Sequence, residues 1–317
     1  QDGRFQIKIE DVHLDVRASF LPTPLGESVV LRILNRTALV SLDMLGFSEE
    51  EKNILNRLIE KPYGIIFLTG PTGSGKTTTL YSCLTRLHLK EKKIITIEDP
   101  IEYQINGITQ IQVNPKIGLS FAEGLRSMLR HDPDVMMVGE VRDKETAEIA
   151  IQSALTGHVI FSTLHTNDAA SGITRLLDMG IEAYLMTSTV QCFIAQRLVR
   201  VLCPHCKKLL TEKEISHQFR DWIKRQCPEM IKESFRLYGP LGCDLCGKTG
   251  YWGREAIFEI LVMDDTIREA VMKKETSSGI KARAVSSGMI TLRETGLKKV
   301  LEGKTTWAEI LRVSSEG

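Results

Sequence analysis

A stretch in the first third of the chain combines the residue types that bind phosphate. Residues 70–77 follow the pattern Gly-x-x-x-x-Gly-Lys-Ser/Thr, between an apolar segment and an amphipathic one. Glycines let successive backbone N–H groups turn toward phosphate oxygens, Lys76 reaches the β- and γ-phosphates, and the Thr77 hydroxyl is a ligand for Mg²⁺. The spacing therefore predicts a nucleoside triphosphate as ligand. The predicted binding residues are Gly70, Thr72, Gly73, Ser74, Gly75, Lys76, Thr77 and Thr78.

Carboxylates follow two other apolar segments that the sequence predicts as strands. Glu140 comes shortly after Val135–Val138, and an acidic cluster begins at Glu98, directly after Ile94–Ile97. Because the carboxyl ends of parallel strands meet at one edge of a sheet, we expect both side chains near the phosphate loop. Hydrolysis of a γ-phosphate requires a metal and a carboxylate that orients or deprotonates water. Glu140 and Glu98 are thus the predicted catalytic carboxylates, and the spacing leaves their division of labour open.

Two more polar residues lie close to these carboxylates in the predicted order of strands. His165 follows the apolar segment that begins at Val159, where an imidazole can sense or hydrogen-bond the γ-phosphate. Arg142 comes two residues after Glu140, and we expect it to pair with that carboxylate or with phosphate. Both are included among the predicted catalytic residues.

Four of the seven cysteines form two Cys-x-x-Cys pairs separated by 36 residues. Cys203, Cys206, Cys243 and Cys246 are the ligand types and the number that a closed, structural Zn²⁺ site requires. His205 lies inside the first pair and is an alternative ligand, and a reduced thiol set without metal is the competing interpretation. The other cysteines, at positions 83, 192 and 227, are expected to be small apolar residues.

The composition limits the classes of partner. The 317 residues include 41 Lys and Arg against 40 Asp and Glu, so no strong field attracts nucleic acid or anionic lipid. No apolar run approaches the roughly 18 to 20 residues of a membrane span. We therefore expect a cytoplasmic protein that binds no nucleic acid and meets a membrane only through protein partners. The sequence begins with Gln1 rather than Met, which suggests part of a longer protein.

The elements that position these residues alternate along the chain. Short apolar segments separated by amphipathic ones predict an α/β fold with a parallel sheet. Residues 15–34 read as a β-hairpin broken by prolines and a glycine, and the chain past the second cysteine pair is expected to be helical again. Capping boxes predict helix starts at Ser48, Thr291 and Thr306, and Asp143 is expected to cap another helix.

Taken together, these motifs resemble one family: the secretion ATPases that power type II secretion and type IV pilus assembly. Gly139, where a metal-side aspartate is usual in other nucleotide motors, is normal in that family. The cysteine pairs resemble the zinc subdomain of its assembly and secretion branch, which pilus retraction ATPases lack. Residues 152–157 and 203–207 favour the type II secretion (GspE) type. Besides the phosphate loop, the matching segments are an aspartate box at 96–102, a Walker B segment at 129–143 and a histidine box at 156–168.

The resemblance implies a RecA-like P-loop NTPase core with a parallel sheet, preceded by part of a PAS-like β-rich N-terminal domain. It also implies that Arg17 and Arg32, on the last strands of that domain, meet the nucleotide across a cleft when the two domains close. The first half of the N-terminal domain is expected to lie outside this chain. The implied divisions are the PAS-like part at 1–36, a linker at 37–43, the core at 44–200, the zinc subdomain at 201–250 and C-terminal helices at 251–317.

The function implied by the resemblance is a hexameric, Mg²⁺-dependent ATPase that also carries structural Zn²⁺. Its hydrolysis cycle is expected to move the N-terminal domain against the core and to drive pseudopilus assembly in type II secretion. The implied partners are cytoplasmic domains of inner-membrane platform proteins, which places the chain at the cytoplasmic face of the bacterial inner membrane. The alternatives are a type IV pilus assembly ATPase, a RecA-like nucleic-acid motor and a nucleotide-gated binding module with little turnover.

Overall fold

The fold was determined from a computed structural model, which describes residues 2–9, 12–34, 40–226 and 236–314. Cys227 and the first three residues of the predicted linker lie outside these ranges. Among the helices of the described residues, none is both long and apolar enough to cross a lipid bilayer.

The N-terminal residues form a small antiparallel sheet of three strands in sequence order. The predicted hairpin is confirmed. A turn at residues 24–25 joins its two strands, and the second strand begins at Gly26, whose φ of 128° suits glycine. The first strand was missed because its alternation begins at the chain end without a turn signal before it. The strands are β1 Asp2–Ile9, β2 Val12–Thr23 and β3 Gly26–Leu34.

The remaining strands build the main sheet and a two-stranded ribbon. Their bounds are β4 Gly64–Thr69, β5 Ile94–Glu98, β6 Thr109–Gln112, β7 Val135–Val138, β8 Val159–Leu164, β9 Val190–Leu202, β10 Lys208–Leu209, β11 Tyr238–Gly239 and β12 Tyr251–Val262. The main sheet has the order β12-β9-β4-β8-β7-β5-β6, and every neighbouring pair except β12 with β9 is parallel. The predicted α/β class is therefore confirmed.

Helices cover both faces of the main sheet. Alternate residues of β4 enter opposite cores: Ile65 packs on one side, and Ile66 packs on the other, where the first two helices lie. The helices are α1 Glu49–Ile59, α2 Lys76–His88, α3 Phe121–Met128, α4 Lys144–Leu155, α5 Ala169–Asp178, α6 Ala183–Thr189, α7 His217–Gln226, α8 Asp265–Met272, α9 Ser277–Ser286, α10 Leu292–Leu301 and α11 Trp307–Ser314.

Most predicted helix starts are confirmed. The capping boxes at Ser48 and Thr291 are complete, and the Asp143 side chain accepts a hydrogen bond from the backbone N–H of Thr146. The box at Thr306 is wrong in its second half. The Thr306 hydroxyl accepts from the Glu309 amide at 3.3 Å, but the Glu309 carboxylate is turned away to Arg200 and Arg312.

That buried carboxylate holds α11 against β9. Glu309 accepts from the backbone N–H and the guanidinium of Arg200, at 3.0 and 2.9 Å, and from Arg312 at 2.5 Å. Burial alone would raise the pKa of Glu309, but these donors outweigh it and hold the pKa at about 2. The Glu309 carboxylate therefore forms an ion pair between α11 and β9 instead of completing the capping box at Thr306.

The segment after the second cysteine pair is a strand, not the helix that we expected. Tyr251–Val262 pairs antiparallel with β9. The segment between these two strands, at 203–250, contains both cysteine pairs and is called the lobe below. The apolar and β-branched run at 256–262 was a strand signal that the search for helix caps passed over. The predicted division at 200 falls inside β9, which runs through residue 202, and the one at 250 falls directly before β12. These divisions therefore assign two paired strands to different subdomains.

Candidate active site and metal centre

The phosphate loop joins β4 to α2 at the carboxyl edge of the sheet. A Cβ on Gly70 would lie 2.6 Å from the backbone oxygen of Gln196, and Gly75 has a φ of 89°, so both positions require glycine. Lys76 is buried, and its Nζ donates to the carbonyl oxygens of Gly70 and Pro71 at 2.7 and 3.1 Å. The first residues of the loop therefore bind the ammonium group of Lys76 through their backbone carbonyls.

The structure brings Glu140 together with His165 and Arg142. Glu140 is 9% exposed; Arg142 Nη2 lies 2.5 Å from its Oε1 and His165 Nε2 lies 3.3 Å from its Oε2. The negative charge of Glu140 also acts on Lys76, where it opposes the loss of the lysine's proton. The strand order explains this grouping, because β8 lies between β4 and β7 and all three end at one edge.

Two buried polar atoms at this edge are available to a ligand. Among the described residues, Ser74 Oγ in the loop and Glu140 Oε2 have no hydrogen-bond partner. Burying such an atom without a partner is costly, so natural proteins rarely keep one without a use for it. The residue types at this edge, a hydroxyl-bearing loop and a carboxylate, fit Mg²⁺ and phosphate.

Glu98 is held in a different environment. Its carboxylate, 3% exposed, accepts from Tyr81 Oη of α2, from Thr96 Oγ1 at 2.5 Å and from Gln110 Nε2 at 3.1 Å. Burial raises the pKa of Glu98 above its ordinary value, against the opposing effect of these donors. The carboxylate thus ties β5 to α2 and β6.

Arg17 and Arg32 lie directly opposite each other on β2 and β3, and both are exposed. Like charges directly across an antiparallel pair are destabilising, and an anionic partner relieves the repulsion. Within the described residues, no hydrogen bond or ion pair joins either arginine to the phosphate loop. Their contact with nucleotide stays a prediction.

Gln196 and Arg197 on β9 are site residues that the sequence analysis missed. Gln196 is buried and its Oε1 accepts from Thr79 Oγ1 of α2 at 2.9 Å. Arg197 Nη1 lies 3.1 Å from the position that a Cβ on Gly70 would take. The available signal was a polar pair that interrupts an apolar strand of thirteen residues.

The four cysteines of the two pairs converge in one cluster. Their sulfur atoms all lie within 4.8 Å of one another, with separations of 3.9 Å for Cys203 and Cys243, 3.8 Å for Cys206 and Cys246 and 3.7 Å for Cys243 and Cys246. Tetrahedral Zn²⁺ with bonds of about 2.3 Å requires sulfur separations of about 3.8 Å. The cluster therefore fits zinc. His205 is exposed, and the cluster found in the described residues consists of cysteines alone.

Two backbone amides donate hydrogen bonds to the sulfur of Cys246. The N–H groups of Cys243 and Gly250 each donate to Cys246 Sγ at 3.2 Å. These bonds, above all the one from Cys243, lower the pKa of Cys246 to about 6 and favour the thiolate that binds metal. The lobe also contacts the turn between α10 and α11, since Lys207 Nζ donates to the Gly303 carbonyl at 2.9 Å.

Comparison with known proteins places this arrangement in a family. Residues 1–312 match the family described as Type II/IV secretion system protein. The chain belongs to this family. The resemblance inferred from the sequence motifs is thereby confirmed, and so is the α/β fold that it implied.

Among the named relatives of this secretion family are type II secretion system proteins E. That of Dickeya dadantii is 48% identical over 317 residues, which cover all of this chain and 62% of the relative. That of Xanthomonas campestris pv. campestris is 51% identical over 318 residues, which cover all of this chain and 55% of the relative. The type II secretion type is therefore confirmed, and the chain spans somewhat more than half the length of these relatives.

Two solved structures share the fold. A crystal structure of the pilus retraction motor PilT with bound ADP has a TM-score of 0.71 and 27% identity, covering 99% of this chain and 78% of PilT. The ATPase DotB of Legionella pneumophila has a TM-score of 0.70 and 22% identity, covering 99% and 77%.

A pH dependence follows from the environment of Lys76. Burial lowers the pKa of its ammonium group to about 8, although Glu140 opposes the shift. A bound phosphate favours the charged lysine, so binding above that pH must take up a proton. We expect the Kd of an ATP analogue to be level below about pH 8 and to rise by up to about tenfold per pH unit above it, as measured by fluorescence titration.

The control for this profile is Lys76→Arg, whose guanidinium keeps its charge at every pH of the titration. The variant should bind more weakly but with a level profile above pH 8. A level profile in the wild type as well would contradict the assignment of Lys76 to phosphate binding.

Proposed function

We propose that this chain is the motor portion of a type II secretion ATPase, hydrolysing ATP with Mg²⁺. The observation that carries the proposal is the buried Glu140, which lies at the edge of the phosphate loop. One of its carboxylate oxygens accepts no hydrogen bond, although His165 Nε2 lies 3.3 Å from it. A carboxylate in this position can orient the attacking water and accept its proton. Loop amides and Lys76 bind the phosphates, and His165 and Arg142 hold the carboxylate in place.

The chain has residues that would bind two metal ions, Mg²⁺ and Zn²⁺. The Thr77 hydroxyl, at the start of α2, would be a ligand for Mg²⁺, which neutralises charge on the phosphates when bound. The four cysteines would hold Zn²⁺ in a closed site that stabilises the lobe and takes no part in hydrolysis.

We propose different roles for the two predicted carboxylates. Glu140 has one oxygen without a hydrogen bond, whereas both oxygens of Glu98 accept hydrogen bonds from neighbouring side chains. Glu140 therefore activates water, and Glu98 fixes β5 and α2 relative to each other. This proposal chooses between the alternatives that the spacing alone left open.

The motor cycle is the larger part of the proposal. Arg17 and Arg32 supply cations to the nucleotide when the N-terminal sheet, through the linker at 37–43, closes on the core, and hydrolysis reverses the closure. Six copies act together at the cytoplasmic face of the inner membrane and push pseudopilus subunits through a platform protein. The family and the naming of PilT as a motor with bound ADP support this reading.

A type IV pilus assembly ATPase is the second candidate, since the pilus retraction motor PilT shares the fold at 27% identity. The relatives named type II secretion system protein E, at 45–51% identity, favour secretion. The balanced charge of the chain gives no support to a nucleic-acid motor.

The test measures phosphate release against protein concentration, with light scattering on the same samples. The wild type should hydrolyse ATP only when Mg²⁺ is present, with a rate per chain that rises as six-chain assemblies form. Lys76→Ala should lose at least about 100-fold of this rate, because the loop lysine supplies charge to the transferring phosphate.

The matched control is Lys116→Ala, an exposed lysine outside the loop, which should retain the wild-type rate. Equal rates in wild type and Lys76→Ala would contradict the proposed ATPase. Hydrolysis by a protein that stays monomeric at every concentration would contradict the hexamer and leave the ATPase in place.

A further inference from the structure

Arg197 lies between the phosphate loop and the last helix. It is a half-buried residue of β9, and Nη1 lies 3.1 Å from where a Cβ on Gly70, the first loop residue, would be. Its Nε donates to the carbonyl of Val313 in α11 at 3.2 Å. One side chain therefore adjoins both the candidate nucleotide site and the C-terminal end of α11.

Within the described residues, the hydrogen bonds of this guanidinium all go to neutral acceptors. Besides Val313, Arg197 donates to the carbonyls of Asn167 at 2.6 Å and Gln196 at 3.2 Å. Burial lowers its pKa, while the charges of Asp168 and Glu259 nearby act in the opposite direction. Bonds between a guanidinium and phosphate are roughly twice as strong as bonds to a neutral acceptor. A triphosphate in the loop would therefore compete with the carbonyls for Arg197.

The end of α11 depends on such donors. Arg293 Nη2 donates to the carbonyl of Ser314 at 3.0 Å, next to the Val313 carbonyl held by Arg197. The last carbonyls of a helix have no partner within the helix, and cations there also stabilise its dipole. Of these two arginines, Arg197 is the one beside the phosphate loop.

We propose that Arg197 links the phosphate loop to α11: it donates to a bound triphosphate and in doing so releases the Val313 carbonyl. The last turn of α11 then loosens when nucleotide binds and tightens when it leaves. This inference rests on the proposed ATPase, and it assigns Arg197 as a phosphate-contacting residue with a second, positioning role. It gives the chain a route from nucleotide state to its C-terminal helices.

Hydrogen exchange of peptides that cover residues 307–314 tests the link. In the wild type, Mg²⁺ and a non-hydrolysable ATP analogue should speed exchange in the last turn of α11 by about threefold or more. Arg197→Gln should show fast exchange without the analogue, no further change with it, and an analogue Kd raised by about tenfold, the effect expected for one charge-assisted bond.

The matched control is Arg293→Gln, which removes the other donor to the end of α11 but lies off the loop. Its exchange should start faster than in the wild type and still respond to the analogue, with an unchanged Kd. A second variant, Arg197→Lys, keeps the charge without the planar fork, and should give a smaller exchange response and an intermediate Kd.

The outcomes separate the link from the proposed function. If calorimetry shows that the wild type does not bind the analogue, the ATPase proposal fails and the link fails with it. If the wild type binds the analogue but α11 exchange does not change, the link alone is wrong. The same holds if Arg197→Gln or Arg197→Lys responds as strongly as the wild type.

Discussion

Replacing Glu140 by glutamine is expected to lower the kcat of ATP hydrolysis by about 100-fold or more while nucleotide still binds. Glutamine keeps the shape of the side chain and its contact with Arg142, but it cannot accept a proton from water. Because Lys76 and the loop amides are unchanged, the Kd of an ATP analogue should stay within about threefold of the wild type. Phosphate release at saturating ATP and calorimetry with the analogue measure the two quantities separately.

The control for this prediction is Glu148→Gln. Glu148 is an exposed carboxylate on α4, paired with Lys144 at 3.5 Å, and its loss should leave kcat unchanged. Wild-type turnover in Glu140→Gln would mean that another group activates the water, and Glu98→Gln would then be the variant to measure. A large rise in Kd instead would show that Glu140 holds the metal and nucleotide.

Replacing Cys243 by serine is expected to abolish the binding of Zn²⁺ and to unfold the lobe at 203–250. Serine keeps the size of the side chain but supplies no thiolate, and three sulfurs leave the tetrahedron open. Structural zinc contributes an apparent 10 kcal/mol or so to the folding of small domains, and the lobe has only a small core of its own. Metal analysis and thermal unfolding measure the result.

The consequence should reach beyond the lobe. Leu202, directly before the lobe, donates its backbone N–H to the Lys304 carbonyl at 2.7 Å, and Lys207 donates to Gly303, so this end of the lobe holds the turn that follows α10. We expect a lower Tm for the whole chain as well as the loss of zinc. Cys83→Ala removes a buried thiol outside the cluster, and its zinc content should match the wild type. Full zinc content in Cys243→Ser would refute the four-cysteine site.

Local signals predicted the parts of this fold that depend on neighbours in sequence. The capping boxes at Ser48 and Thr291 and the cap at Asp143 were found because each joins residues three positions apart. The phosphate loop is likewise a local motif, and its Gly73 and Gly75 adopt the positive φ values that its own turns require. The ordered motifs around it were specific enough to identify the family.

Signals of this kind failed where a distant residue offered a better partner. Thr306 and Glu309 have the spacing of a capping box, yet the carboxylate binds Arg200 on β9 because charged donors outweigh a backbone amide. Glu98 has the position of a catalytic carboxylate, and its role stays a prediction; the hydrogen bonds that it accepts from Tyr81 and Gln110 were not foreseen. Neither partner can be inferred from spacing, since both depend on how α2 and β6 pack.

The sequence by itself determined the family, the phosphate-loop motif, the two cysteine pairs and the alternation of strands and helices that gives the α/β class. Only the tertiary structure decided that β9 and β12 pair antiparallel in the main sheet. It also decided that the Arg197 side chain of β9 lies beside Gly70. The physical reason is that strand pairing and charge partners are set by contacts between residues far apart in the chain. Such contacts form when the whole core packs, and short-range propensity does not encode them.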